Sequence, residues 1–177
     1  LSGLPAHAQD GFEAPEGFSV ESVRAPQRTG SLTALTFDGE GRIVFAREDS
    51  FVARLRPHGG GREGYREEVL SREVTGAQGL LFDGEDLLVT GHGPKGPGLY
   101  RIVDPGGEVD STRLIAGSTG PVAGHGPHAL RWGPDGHLYW IVGNHAGLDA
   151  PIDPLSPHRS FGTGHLLPSF LDPRGHA

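Results

Sequence analysis

Along this chain apolar and polar residues alternate in short runs, and each run ends at a cluster of Gly, Pro, Asp or Asn. Alternation with a period of two puts one set of side chains on one face, the pattern of a half-buried strand. Three pairs of such runs flank four-residue turn signals, and each pair predicts a β-hairpin. Segment 31–37 (SLTALTF) is joined to 42–46 (RIVFA) by Asp38-Gly39-Glu40-Gly41. Segment 78–82 (QGLLF) is joined to 87–90 (LLVT) through 83–86. Segment 128–132 is joined to 137–142 by Gly133-Pro134-Asp135-Gly136. Runs at 51–56, 66–70, 98–103 and 112–116 read as further strands, as does 18–23 (FSVESV) ahead of the first hairpin.

The hairpins are copies of one unit. Superposing Phe37, Phe82 and Trp132 brings Leu35, Leu80 and Leu130 into register, at spacings of 45 and 50 residues. Repeats of that length, each made of short strands, are the mark of β-propeller blades. The expected fold is therefore all-β, a partial propeller of about three blades of four-stranded antiparallel sheet. Residues 9–30 form a lead-in with one strand, 31–75 and 76–120 form one blade each, and 121–177 form an incomplete blade followed by a Pro-rich loop. From 147 onward the alternation dissolves, and no strand long enough to close a blade is expected there. Because a ring needs at least four blades, this reading makes the chain an N-terminal fragment of a six- or seven-bladed ring.

Composition narrows the picture. The 30 Gly and 15 Pro make up about a quarter of the 177 residues, which argues against long helices. The formal net charge is −7 and no basic cluster stands out, so a nucleic-acid partner is not expected. No apolar run approaches the roughly 18 residues of a membrane-spanning helix. With no Cys there is no disulfide framework, thiolate metal site or haem attachment motif. Residues 1–8 end in Ala6-His7-Ala8 ahead of Gln9-Asp10, which resembles the remnant of a secretory signal. Position 1 is Leu and the chain has no Met, which fits a processed or missing start. An exported protein, periplasmic or in the cell envelope, is expected.

Antiparallel pairing decides where chemistry can gather. In the third hairpin both polar ends lie opposite the Gly-Pro-Asp-Gly turn, so His125, His128, Asn144 and His145 are expected together. The equivalent ends of the other hairpins add Gln78, Arg47, Glu48, Asp49 and His92, whereas the turns at the other end carry ordinary turn chemistry. An imidazole titrates near neutral pH and suits a general base. It is also a metal ligand, which makes His125, His128 and His145 a candidate set for a metal of unknown kind, and it equally suits hydrogen bonding to loop carbonyls. The run Gly91-His92-Gly93-Pro94-Lys95-Gly96 fits a dinucleotide-binding pattern. However, Pro94 and Pro97 forbid the helix that such a site requires, so it reads as a strand-to-strand loop.

The order His125, Leu130, Gly133-Pro134-Asp135, Leu138-Tyr139 and Val142-Gly143 resembles the soluble quinoprotein glucose and sorbosone dehydrogenases, propellers that bind pyrroloquinoline quinone (PQQ) with calcium. More closely, HGPHALRWGPDGHLYWIVGNH, with GAQGLL and the closing LDPRGHA, looks like the propeller of large "membrane-bound dehydrogenase" proteins of planctomycete and verrucomicrobial type. The likeness runs roughly from Gly17 to the end. It implies an oxidoreductase acting on a sugar or alcohol. His125 would be the general base, Gln78 a contact of the same hydroxyl one residue away from the family's glutamine, and His128, Asn144 and His145 would face the cofactor. It also implies a cytochrome domain as electron acceptor. Where the family has an aspartate before its histidine, this chain has Gly124. A non-catalytic propeller binding carbohydrate or protein is the alternative. A calcium-dependent sugar lactonase, for which Glu48, Asp49 and Asn144 would be the ligands, is a third.

Overall fold

The first alternating pair forms the expected hairpin. β1 (Leu32–Phe37) runs antiparallel to β2 (Ile43–Arg47), with Leu35 opposite Phe45 and Phe37 opposite Ile43. Gly41 closes the turn at φ +76°, a left-handed conformation that a side chain would resist. Its N–H donates to the Asp38 carbonyl at 2.9 Å. β3 (Val52–Pro57) and β4 (Tyr65–Ser71) continue the meander, giving a four-stranded sheet in the order β1-β2-β3-β4. The structure is a computed structural model, and it describes residues 14–20, 23, 29–48, 51–58, 64–106, 111–122 and 124–149.

The second unit repeats the plan with longer strands. β5 (Thr75–Asp83), β6 (Asp86–Gly93), β7 (Gly96–Val103) and β8 (Ser111–Thr119) pair in sequence, each antiparallel to the last. The third unit is a two-stranded sheet of β9 (Pro127–Trp132) and β10 (Leu138–Val142). A short β11 (Gly147–Leu148) then leaves this unit and joins the outer edge of β8, so the second sheet has five strands. Every pairing is antiparallel and the chain is all-β. Among the described residues no helix is long and apolar enough to cross a membrane.

Three expectations change. Residues 18–20 and 23 are not strand, and 21–22 lie outside the described residues. Among the described residues no strand pairs with 18–20 or 23, so their alternation has no ladder to join. Gln78 lies in a strand, as expected for 78–82, but that strand, β5, begins three residues earlier at Thr75. The register slips between Thr75 and Gly79, with Gly76 at φ +59°, so Gln78 sits in a bulged part of the strand. His92 likewise lies within β6, opposite Thr75 and Pro97, because the β6–β7 turn is only Pro94-Lys95.

The sheets stack in chain order, first strand against first strand. The face of the first sheet that carries Val44, Ala46, Val52 and Leu70 packs on Leu80, Leu87, Val89, Tyr100 and Ile102 of the second. The opposite face of the second sheet, through Leu88 and Leu99, packs on Leu130, Leu138 and Trp140 of the third. Full burial of one aliphatic side chain contributes about 1.5–3 kcal/mol, so these two seams hold the stack together. Each is also tied by a threonine. Thr33 Oγ1 of β1 donates to the Ala77 carbonyl of β5 at 2.5 Å, and Thr90 Oγ1 of β6 donates to the His128 carbonyl of β9 at 2.9 Å. Register equivalence makes the seams comparable, since Leu35, Leu80 and Leu130 hold the same place in β1, β5 and β9.

Candidate functional site

The third hairpin draws its polar ends together through backbone bonds. The Gly143 N–H donates to the Gly126 carbonyl at 2.7 Å and the His145 N–H to the His125 carbonyl at 3.1 Å. Gly143 is required here, because a Cβ at this position would collide with the His125 carbonyl. This crossing fixes three side chains. His125 Nδ1 lies 2.9 Å from Asn144 Oδ1, and the His145 ring stacks on the His125 ring with centroids 4.3 Å apart and planes inclined by 24°. An amide oxygen only accepts, so Nδ1 of His125 is the donor, and in the neutral ring the unprotonated nitrogen is Nε2. His125 is exposed, whereas Asn144 and His145 are half-buried behind it.

His128 takes a different role. Its Nε2 donates to the Gly124 carbonyl at 2.9 Å, and its own carbonyl receives Thr90 Oγ1. It therefore braces the loop and the seam between the second and third sheets. Gln78 holds the equivalent place in β5. Its neighbour Gly79 lies so close to the His128 carbonyl that a Cβ would overlap it. Among the described residues, no side-chain hydrogen bond joins Gln78 to His125, Asn144 or His145. The geometry thus unites His125, Asn144 and His145, ties His128 to the same loop, and leaves Gln78 on the adjoining strand.

Of the other residues expected at this end, Arg47 pairs with Glu67 at 3.2 Å and lies over the Phe51 ring, 4.9 Å from its centroid. The Glu48 N–H donates to the Ser31 carbonyl at 3.0 Å. Asp49 lies outside the described residues. No group of three or more His, Cys, Asp or Glu able to hold a metal ion occurs among the described residues.

The opposite end of the stack holds what sequence reasoning passed over. A cleft of about 430 Å³ is lined by the two hairpin turns and the β7–β8 turn, including Asp38, Arg42, Arg54, Phe82, Glu85 and Asp104. Arg42 Nε meets Asp38 Oδ2 at 2.7 Å, and Arg54 bridges Asp38 at 3.3 Å and Glu68 at 2.8 Å. Burial opposes ionisation of Asp38, but the backbone N–H and guanidinium of Arg42 outweigh it and hold the carboxyl below its ordinary range. For Glu68 the hydrogen bond from Arg56 lowers the pKa most, burial opposes it, and Arg54 adds to the lowering. The available signal was the alternation of Arg42, Arg54 and Arg56 with carboxylates on neighbouring strands. It was masked because Asp38 also has the residue type that any turn favours.

No known protein family, no curated protein and no solved structure matches this chain.

Proposed function

We propose that the chain is part of an exported β-propeller oxidoreductase of the sugar dehydrogenase type, in which His125 accepts the proton of a substrate hydroxyl. The bond between His125 Nδ1 and Asn144 Oδ1 carries this reading. It selects the tautomer that a base needs, with Nε2 unprotonated on an exposed ring, and it would stabilise the imidazolium once the proton arrives. Asn144 does for orientation what an aspartate before His125 would otherwise do. The propeller reading is supported by consecutive antiparallel meanders packed first strand to first strand at a common register. Ala6-His7-Ala8 supports export.

In such an enzyme PQQ would supply the redox chemistry. The residues around His125 do not fit it. A quinone bearing three carboxylates calls for cationic side chains, and calcium calls for six to eight oxygen ligands. This end offers imidazoles and one amide, with no convergent acidic group among the described residues. No step is therefore assigned to the quinone here. The residues of this chain bind and orient a hydroxyl and hold its proton at Nε2.

A second reading, a propeller that recognises carbohydrate or protein without turnover, is favoured by the commitment of His128 to the Gly124 carbonyl and by the stacking of His145 on His125. Dye-linked oxidation of aldoses, with PQQ and calcium added, separates the two. The first predicts turnover that falls about 100-fold or more in His125→Ala, with Asn144→Ala lowering kcat and leaving KM unchanged. Sugar binding by calorimetry with no turnover in any preparation would select the binding module.

A further inference from the structure

β8 runs two residues beyond its ladder with β7. That ladder ends with Gly98 opposite Gly117, and the next residue on β7 is Pro97, which has no N–H to offer. Ser118 and Thr119 pair on their other side with Leu148 and Gly147 of β11. The equivalent strand of the first sheet, β4, is seven residues long against nine, and among the described residues no strand pairs with its outer edge. The extension therefore belongs to the sheet whose edge meets the His145 loop.

Two glycines make room for the chain that crosses to this edge. At Gly120, with φ +86°, a Cβ would overlap the His145 carbonyl, and at Gly117 one would meet the Asp149 side chain at 3.2 Å. A side chain at position 120 would be strained by that φ as well as by the contact. Segment 143–149 is thus tied at both ends. On the third hairpin the N–H groups of Gly143 and His145 donate to the Gly126 and His125 carbonyls. On β8 the Gly147 N–H donates to Thr119 Oγ1 at 3.2 Å and the Asp149 N–H to the Gly117 carbonyl at 3.0 Å. His145 sits where the two sets meet. Its N–H is held by the loop of the third sheet, its carbonyl lies against the edge of the second, and its ring stacks on His125.

We infer that the end of β8 is a positioning element for His125: by docking 147–149 it holds the His145 ring against the His125 ring, so the second sheet sets the aim of a base carried by the third. A single hydrogen bond, here to Asn144, leaves an exposed ring able to swing about it, and a second ring stacked on one face removes that freedom. Gly117, Thr119 and Gly120 are the positioning residues, and they act through His145. The catalytic meaning of this arrangement rests on the reading of His125 as the base, whereas the ring contact can be read without turnover.

Nuclear magnetic resonance of the whole chain tests it. The wild type is expected to show a nuclear Overhauser cross-peak between the two imidazoles, identified by its absence in His145→Ala. Thr119→Val removes the acceptor for Gly147, and Asp149→Pro removes the donor to Gly117. Both positions are exposed, so the fold loses little. The double variant is expected to lose the cross-peak while the amide signals of β5 to β7 stay in place, and each single variant is expected to weaken it, so a double variant that fails to fold leaves two measurements standing. Thr119→Ser keeps a hydroxyl and is expected to retain the cross-peak. In dye-linked oxidation of aldoses, with PQQ and calcium added, the double variant is expected to lower kcat about 10- to 100-fold at unchanged KM, because a misaimed base costs rate and not binding. A cross-peak that survives in the folded variants overturns the inference, and so does an unchanged kcat once the cross-peak has gone. Loss of the cross-peak with no turnover in any preparation, wild type included, overturns the catalytic reading alone and upholds the positioning of the ring pair by β8.

Discussion

Among the described residues the second sheet has a neighbour on both faces and the third on only one, and nearly the same hairpin pattern is used in two ways as a result. Leu88 and Tyr139 hold equivalent places, the first buried in the seam and the second exposed. Thr90 and Ile141 hold the next place. One is sealed in and hydrogen-bonded across to β9, while the other faces solvent. Alternation thus states which residues share a face. Whether that face is core depends on what lies against it.

The sharpest way to break the comparison is at Gly79. A Cβ there would overlap the His128 carbonyl and lie 2.8 Å from Thr90 Oγ1. Gly79→Val is expected to cost about 3 kcal/mol or more, because backbone cannot yield as a side-chain tip can. Urea unfolding would show the loss as a shift of midpoint, and an unchanged midpoint would mean that the β5–β9 approach is looser than described.

The next test is paired. Leu88→Ala should cost about 2–4 kcal/mol. Tyr139→Ala, at the equivalent position and in dilute solution, should cost less than about 0.5 kcal/mol. Equal costs would mean that the third sheet is not bare on its outer face. Thr90→Val is expected to cost about 1–2 kcal/mol, since it removes the hydrogen bond to the His128 carbonyl.

The smallest effect is in acid. Asp38 has a folded pKa below its unfolded value of about 3.9. Its contribution is therefore fully present above that value and is lost as pH falls from about 4 through the lower folded pKa. Asp38→Asn should flatten the acid limb of a stability profile. Asp135 is also lowered, first by the hydrogen bond from Tyr139 Oη and then by the N–H of His137, but it sits in the exposed turn of the third hairpin. Asp135→Asn should leave that limb nearly as it was. A large change there would place the acid sensitivity in the third sheet instead.

The His125 cluster was legible in sequence because antiparallel pairing alone carries residues 125 and 144–145 to one end of a hairpin. The stacking of His145 and the diversion of His128 to Gly124 were not, because they depend on ring orientation. The earlier start of β5 was not legible, because the register shift between Thr75 and Gly79 lengthens the strand beyond the 78–82 alternation. The acidic cleft was missed because it is assembled from turns of two sheets, and no single turn distinguishes it from the others.

Taken by itself, the amino-acid order determined the hairpins, their register and their repetition, since each follows from local turn chemistry and a period of two. Tertiary structure alone decided which faces became seams, how β11 crossed to the second sheet, and which partner each histidine ring took. Those outcomes depend on distances between segments tens of residues apart, and local patterns hold no information about such distances.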